Sequence, residues 1–555
     1  MSAAAEPMDE TRSEGRAALC VALLAFLLLA PGILYGLPSG KAVVGGQRVL
    51  AGELPYRDFW TMYAPGQFYL QALLQGVFGR GIVAQALACV AVYAAAAGLV
   101  FRVARRVGCT RGLAGGTALV FALMSWDTSP ELDSYPPALL LMVVALERVS
   151  AYLAGASRRA LLVAGLALGC AAWFKHDVAA YAALGSSAGI TIAWYACGQR
   201  PASWLAPLQA LRPLVLGCVV ALAPVVLFVA ATAPREAWQD LFVFPATTFR
   251  EVRGERFPPL VPELEPLQSW LAAPGDLAAG RNALMGLRSW LLLRVPELAF
   301  LVALVLVWRK RLAPLVLGTA LVLLAPMPLF WSAAHVQQNT HLKSLALSVL
   351  LLGALAWMHS GGRQRVALGV LAGAYALGLA ILPASQAWLM ASAWPKSRTL
   401  GLPATGPVRV SAREHAFYSA IVGWVRAHTE PGEPLYCGLV RHDAPVIGNQ
   451  RFHYLAERPP ATRWTEMHPG ITDSEEIQRA TIQALEAGGV RCAVLWEFGR
   501  GRRAAGLDSL RARHKDIDPS LGSDLLDRWL AERFAQALAA DEYVVLWSRA
   551  AGPPP

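Results

Sequence analysis

Side chains that could act on a substrate are gathered in short polar stretches between long apolar ones. One group comprises carboxylates that could accept the proton of a hydroxyl group: Asp58, Glu131 and Asp133. A second group could bind a phosphate through charge-assisted hydrogen bonds: Lys175, Arg250, Arg253, His341 and Lys343. The sequence has no Gly-rich phosphate loop and no zinc-spaced Cys/His set. It therefore indicates no metal site and no cofactor, although a divalent metal ion is left open.

The elements that must position these residues are apolar segments of membrane-spanning length. Of the 555 residues, 55% are apolar and 16% are charged. This composition argues against a purely soluble, disordered or small disulfide-rich protein. Because a transmembrane helix needs about 20 mostly apolar residues, we predict eleven spans, near 17–37, 82–104, 112–126, 136–154, 160–174, 178–196, 212–232, 290–307, 313–331, 341–358 and 365–383. The segment 66–79 is too short to cross and is predicted to be an interfacial helix.

The distribution of positive charge predicts the orientation of the chain. Residues 1–400 carry a net charge of +12 and residues 401–555 a net charge of −1. With the N-terminus in the cytoplasm, the inner loops hold fifteen Lys and Arg residues and the short outer loops hold six, as the positive-inside rule requires. The long loop 233–289 and the tail then lie outside the cytoplasm. The basic residues form no single patch, so nucleic acid is not an expected partner.

Residues 401–555 are predicted to form an extracytoplasmic α/β domain that follows a transmembrane domain of residues 1–400. Helices are predicted at 412–428 and 474–489, strands at 435–440 and 492–498, and a helix followed by a strand over 525–549. Cys437 and Cys492 lie on the predicted strands. They could form a disulfide outside the cytoplasm, although the burial tendency of free cysteine favours two thiols.

Polar residues collect on the predicted outer side of the membrane. Five stretches meet there: 52–70, 125–137, 173–181, 242–259 and 332–344. Charged residues at a membrane boundary are costly unless they face water, a partner or a substrate. The pattern therefore predicts a cavity at the outer surface.

Each candidate residue also has a structural explanation. Asp58 could pair with Arg57 or cap a turn, and the acids of residues 127–133 could belong to a solvated loop. Lys175 could anchor its segment at the interface. The arginines at 250 and 253 could lie in a solvated loop, and the histidine at 341 could cap a span.

The order of these features resembles a known family. The first outer loop contains the stretch Gly-Glu-Leu-Pro-Tyr-Arg-Asp-Phe-Trp and then Tyr-Ala-Pro-Gly-Gln, between Gly52 and Gln67. Lys-His-Asp follows the fifth span at 175–177, and a His-Leu pair opens a later span at 341–342. With its soluble tail, the chain resembles the GT-C superfamily of integral-membrane glycosyltransferases. It is similar to the bacterial branch that includes protein O-mannosyltransferases and lipid A aminoarabinose transferases.

This resemblance implies a polytopic helical protein of the bacterial inner membrane that uses a polyprenyl-phosphate sugar as donor. The acceptor would be a lipid, a glycan or a protein. A first-loop Asp would deprotonate the acceptor hydroxyl, and cations would stabilise the leaving phosphate. A transporter or a non-catalytic component of envelope polysaccharide assembly is the alternative. The absence of an evident internal repeat and the gathering of charges at one surface favour the enzyme.

The chain departs from the family pattern at one point. Family members usually carry an acidic residue just after the first span, and it commonly serves as the base. Here no acid lies between Leu37 and Gln47. The base would then be Asp58, or an acid of residues 127–133, or the chain would have lost activity.

Overall fold

The computed structural model describes residues 6–127, 129–196, 206–248, 265–273, 361–443, 448–497 and 522–553, and the single positions 280, 283, 350, 351 and 353. The helices of the N-terminal part are, in chain order, α1 (Glu6–Leu29), α2 (Lys41–Leu50), α3 (Gly66–Phe78), α4 (Ile82–Arg106), α5 (Arg111–Leu123), α6 (Tyr135–Leu153), α7 (Arg159–Ala172), α8 (His176–Ala196), α9 (Ala206–Thr232), α10 (Pro234–Trp238), α11 (Glu265–Ala272) and α12 (Gly362–Ala393). A 3-10 turn (Ala30–Leu34) follows α1, and a π-helical turn (Gln239–Val243) follows α10.

Five stretches of the described helices are long and apolar enough to cross a membrane: Arg12–Leu34, Ile82–Arg106, Tyr135–Leu153, Gln209–Thr232 and Arg365–Lys396. Each coincides with a predicted span, so the protein is a multi-pass membrane protein. The predicted spans 112–126 and 160–174 are the shorter apolar helices α5 and α7, and 178–196 lies in α8. The predicted spans 290–307 and 313–331, and 341–358 except for three positions, lie outside the described residues. The total of eleven spans stays a prediction.

Small residues let the helices approach each other closely. A Cβ atom at Gly165 of α7 would lie 2.0 Å from the backbone oxygen of Leu214 in α9, and one at Gly217 would lie 2.3 Å from the oxygen of Leu162. Only glycine fits such contacts between helix backbones, and small residues are the usual means of tight packing in membranes. These glycines therefore fix α7 against α9.

The C-terminal part contains a four-stranded mixed sheet. Its strands are β3 (Leu435–Leu439), β4 (Cys492–Trp496), β5 (Phe534–Ala540) and β6 (Tyr543–Ser548), in the order β3-β4-β6-β5, after a short antiparallel pair of β1 (Arg398–Thr399) and β2 (Arg409–Val410). β3 and β4 are parallel, and the other two pairings are antiparallel. The accompanying helices are α13 (Ala412–His428), α14 (Arg451–Ala456), α15 (Glu475–Ala487) and α16 (Leu525–Arg533).

The prediction for residues 525–549 is wrong in its middle portion. α16 ends at Arg533, and the Ala-rich segment that follows is strand β5 instead of more helix. A tight turn at Asp541, whose φ of 55° is left-handed, returns the chain as β6. Pairing with β6 overrides the local helix propensity of the alanines.

Cys437 and Cys492 are both free and buried. They lie on the neighbouring strands β3 and β4, where Cys437 is opposite Val494 and Cys492 is opposite Leu435. The structure thus has two buried thiols at these positions.

Candidate active site

Loops from distant parts of the chain meet at one end of the helix bundle. The first loop (residues 35–65) contains α2. Gly66 follows this loop directly, and its backbone N–H donates a hydrogen bond to the oxygen of Trp173 at 2.7 Å. A Cβ atom at Gly66 would lie 2.5 Å from that same oxygen, so a glycine is required there. The first loop and the connection between α7 and α8 are thereby held together.

Buried glutamines position the second loop (residues 124–134). Gln85 of α4 donates to the oxygen of Pro130 at 3.1 Å and accepts from the N–H of Leu132 at 2.7 Å. Gln71 of α3 donates to the oxygen of Leu132 at 2.9 Å. Since buried backbone groups must find partners, these amides fix the backbone on both sides of Glu131.

Glu131 and Asp133 of the second loop lie close to each other and to the first loop. Glu131 accepts hydrogen bonds from the backbone N–H groups of Ser39 at 2.9 Å and Ala42 at 3.4 Å, at the start of α2. Asp133 accepts from the N–H of Tyr135 at 3.0 Å, at the start of α6. Burial raises the pKa of Glu131, and the charge of Asp133 raises it further. Glu131 is thus a carboxylate with increased affinity for a proton.

Lys41 lies beside these acids, in the stretch of the first loop that lacks an acidic residue. Its ammonium is 3.6 Å from the ring centroid of Tyr63. Burial alone would lower the pKa of Lys41. Four neighbouring groups outweigh burial and raise the pKa of this ammonium: Tyr63, Asp133, Glu466 and Glu131. The lysine is therefore charged.

The C-terminal part contributes to the same region. Glu466 is buried and accepts a hydrogen bond from the Thr61 hydroxyl at 3.2 Å. His468 lies 3.6 Å from the Glu466 carboxylate, and its ring packs against that of Trp60 at a centroid distance of 5.4 Å. The backbone N–H of Trp60 donates to the oxygen of Arg463 at 3.0 Å. The segment 462–468 is thus bonded directly to the first loop.

Asp240 is a further buried acid that the sequence did not single out. It lies in the π-helical turn after α10, and such turns are frequent at functional sites. Burial raises the pKa of Asp240 to about 7, although Arg463 and hydrogen bonding to Trp60 and Thr61 act in the opposite direction. Its Oδ2 atom has no hydrogen-bond partner among the residues that the structure describes.

Asp58 lies in a different environment, in an exposed turn of the first loop. Its carboxylate accepts hydrogen bonds from the Arg57 guanidinium at 2.9 and 2.7 Å and from the N–H of Leu54 at 2.8 Å. The hydrogen bonds from Arg57 contribute most to lowering the pKa of Asp58. The buried Arg48 donates to the backbone oxygens of Asp58 at 3.0 Å and Thr462 at 2.9 Å, so it links this turn to the C-terminal part.

Of the predicted cations, the structure places Lys175, whose ammonium lies 3.3 Å from the Asp177 carboxylate at the start of α8. Arg250, Arg253, His341 and Lys343 lie outside the described residues. Within the described ranges, no group of three or more His, Cys, Asp and Glu side chains could hold a metal ion. The structure thus brings Glu131 and Asp133 together and leaves Asp58 in a separate turn.

Known proteins share the architecture of this chain. No protein-family model and no curated protein sequence matches it. The apo structure of ArnT from Cupriavidus metallidurans is 14% identical over 95% of this chain and 96% of that protein, with a TM-score of 0.51. The oligosaccharyltransferase of Archaeoglobus fulgidus is 12% identical over 87% of this chain and 68% of that one, also with a TM-score of 0.51.

The chain has a GT-C fold. Both solved structures are GT-C glycosyltransferases, and the superposition with ArnT extends over nearly the whole of both chains. At these identities the likeness concerns the fold, and the resemblance inferred from the sequence is confirmed at that level.

The sequence singles out Glu131 and Asp133 as candidates, and it does not single out their neighbours Lys41, Glu466, His468 and Asp240. A signal existed for Lys41, which is the one charged residue between Leu37 and Gln47. No local pattern marks Glu466 or His468, because they reach the site only through contacts with residues about 400 positions away, such as that between Thr61 and Glu466.

Proposed function

We propose that the protein is a glycosyltransferase of the bacterial inner membrane. It moves a sugar from a polyprenyl-phosphate donor to a hydroxyl group of a lipid, glycan or protein acceptor on the outer face. The observation that carries this proposal is the pair Glu131 and Asp133 at the loop end of a GT-C fold, beside the buried Glu466. The charge bias of the loops supports the outward orientation.

Glu131 is our first choice for the general base. It accepts the proton of the acceptor hydroxyl while the hydroxyl oxygen attacks the anomeric carbon. The bond between that carbon and the phosphate oxygen breaks, and polyprenyl phosphate leaves with the electron pair. A raised pKa suits this role because a base works best when its pKa is near the operating pH. Asp133 is the reserve candidate.

The leaving phosphate requires cations, since negative charge grows on its oxygens in the transition state. Lys175 is a candidate for this role because it lies two residues after Trp173. The backbone oxygen of Trp173 accepts a hydrogen bond from Gly66, at the end of the first loop. The remaining candidates are those that the sequence suggests: Arg250, Arg253, His341 and Lys343. As a base, Asp58 ranks after Glu131 and Asp133, and it shapes the turn that Arg48 holds.

A transfer assay with purified protein in nanodiscs tests the proposal. The donor is a polyprenyl-phosphate sugar that carries radiolabel in the sugar, and the acceptor is the lipid and glycan fraction of bacterial envelopes. We expect wild-type protein to label the acceptor and to release unlabelled polyprenyl phosphate. The Glu131→Gln/Asp133→Asn double variant should do neither.

Glu475→Gln is the matched control, because Glu475 is an exposed acid on α15 that pairs with Arg479 of the same helix. It should retain wild-type transfer. Labelled donor that crosses liposome membranes intact, with no label in any acceptor, would contradict the enzyme and favour a transporter.

A further inference from the structure

Lys41 joins carboxylates from two distant parts of the chain. Glu131 and Asp133 come from the second loop, and Glu466 comes from the C-terminal part. Glu131 accepts from the backbone N–H groups of Ser39 and Ala42, which lie on either side of this lysine in the chain. Glu466 accepts from the hydroxyl of Thr61, two residues before the Tyr63 ring that the ammonium covers. The group thus spans the junction between the membrane helices and the C-terminal part.

The lysine keeps hydrogen-bonding capacity. Among the residues that the structure describes, no carboxylate forms a direct ion pair with its ammonium, which lies over the Tyr63 ring instead. An ammonium has three donors, and an ionised carboxylate has about four acceptor positions. Glu131, Asp133 and Glu466 each use only part of that capacity for the contacts that orient them. Donors and acceptors therefore remain for a ligand.

The chemistry of the group fits a polyhydroxylated ring. Sugar hydroxyls both donate and accept hydrogen bonds, and they match a mixture of ammonium and carboxylate groups. The charge is one-sided, since a single lysine faces three acids. A ligand that carries a further carboxylate would meet like charge there, and like-charge contacts can cost several kcal/mol.

We infer that Lys41, Asp133 and Glu466, next to Glu131, form the subsite for the hydroxyl groups of an uncharged sugar. Glu466 then makes the C-terminal part a determinant of which sugar is transferred. The inference rests on the proposed function and adds the class of sugar to it.

Two donors that differ by one group test the subsite: polyprenyl-phosphate glucose and polyprenyl-phosphate glucuronic acid, which carries a carboxylate at C6. The measurement is the ratio of kcat/KM for the two lipids with full-length protein in nanodiscs. We expect wild-type protein to favour the glucose lipid at least about tenfold. Glu466→Gln removes one negative charge and should narrow this preference about tenfold. Lys41→Met removes the positive charge and should widen it.

The two substitutions should shift the preference in opposite directions, which separates a role in sugar binding from a structural role. A damaged fold would lower the rates for both lipids and leave their ratio unchanged. Lys41→Arg keeps the charge and should keep the ratio within about threefold of wild type. Glu475→Gln is the control for loss of an exposed acid that pairs within its own helix. If Glu466→Gln fails to fold, Asp133→Asn makes the same test from the second loop, since asparagine can also accept from the N–H of Tyr135.

If neither Glu466→Gln nor Lys41→Met changes the ratio of kcat/KM for the two lipids, the subsite is wrong. The proposed transferase activity would stand. If wild-type protein transfers neither sugar, the shift in Tm on binding the same two lipids replaces turnover as the readout. If the glucose lipid raises Tm more than the glucuronic acid lipid does, and this difference is smaller in Glu466→Gln, the subsite is supported and the proposed transfer reaction is contradicted. Equal shifts with both lipids would overturn the subsite.

Discussion

The first and second loops each carry a carboxylate at the same end of the bundle, yet their surroundings move the pKa values in opposite directions. Asp58 lies in an exposed turn, and the neighbouring Arg57 holds its pKa below the ordinary value. Glu131 lies in the second loop against the start of α2, and burial holds its pKa above the ordinary value. The difference arises from which groups surround each acid, since opposite charge favours the ionised form and desolvation disfavours it.

The comparison shows how far sequence neighbours determine the chemistry of an acid. The carboxylate of Asp58 accepts hydrogen bonds only from residues within four positions of it among those the structure describes, so its hydrogen bonding is local. Glu131 receives its hydrogen bonds from residues about 90 positions earlier, and the backbone beside it is fixed by Gln85. The acid with the more distinctive environment is therefore the one that depends on the fold.

Apart from replacement of Glu131 itself, the largest effect among the tests of this comparison should come from removing the clamp on the second loop. Gln85→Met keeps the size of the side chain but leaves the oxygen of Pro130 and the N–H of Leu132 without their partner. Displacement of Glu131 by about 1 Å is enough to lower transfer by about 10–100-fold. The control is Cys89→Ser, one turn further along α4, which retains a polar contact to the oxygen of Glu131. Equal rates in both variants would show that the loop does not need this clamp.

A smaller effect is expected from Asp58→Asn. Asparagine can still accept from the N–H of Leu54, while it loses the ion pair with Arg57. Because a partly exposed ion pair contributes about 1 kcal/mol or less, we expect transfer within tenfold of wild type and an almost unchanged Tm. A loss of about 10²-fold or more in correctly folded protein would move the base to the first loop.

The smallest effect concerns Asp240, whose buried carboxyl contrasts with the partly exposed carboxylate of Asp58. Its pKa is about 7 in the folded protein, against an ordinary value of 3.8. Between these values the folded state holds a proton that the unfolded state releases, so the free energy of unfolding decreases as pH rises. The Tm of Asp240→Asn relative to wild type should therefore rise between about pH 4 and pH 7 and level off above.

Melting curves of the wild type and of Asp240→Asn, measured between about pH 4 and pH 7, test this expectation. Asp524→Asn, which removes an exposed carboxylate, is the control. A difference in Tm that is independent of pH would contradict the raised pKa of Asp240.

The parts of the fold that the sequence predicts are those set by local patterns. Runs of about 20 apolar residues define spans such as 82–104 and 212–232 without reference to the rest of the chain. Strands β3 and β4 were likewise visible as buried apolar runs. β5 was missed because its alanines favour a helix locally, and only pairing with β6 makes the segment a strand.

The candidate site was predictable in part for the same reason. Glu131 and Asp133 stand out as acids beside an apolar span. The contribution of Lys41 depends on carboxylates that approach it from the second loop and from Glu466. Such contacts follow from the packing of the C-terminal part on the first loop, and no spacing within either segment encodes them.

Replacement of Glu131 is the most direct test of the account. Glu131→Gln keeps the shape of the side chain and its capacity to accept from Ser39 while it removes the basic group. In the transfer assay with a polyprenyl-phosphate sugar, we predict that kcat falls by about 10²–10⁴-fold while the donor still raises Tm as it does in wild-type protein. Transfer by Glu131→Gln at the wild-type rate would contradict the assignment of the general base to the second loop.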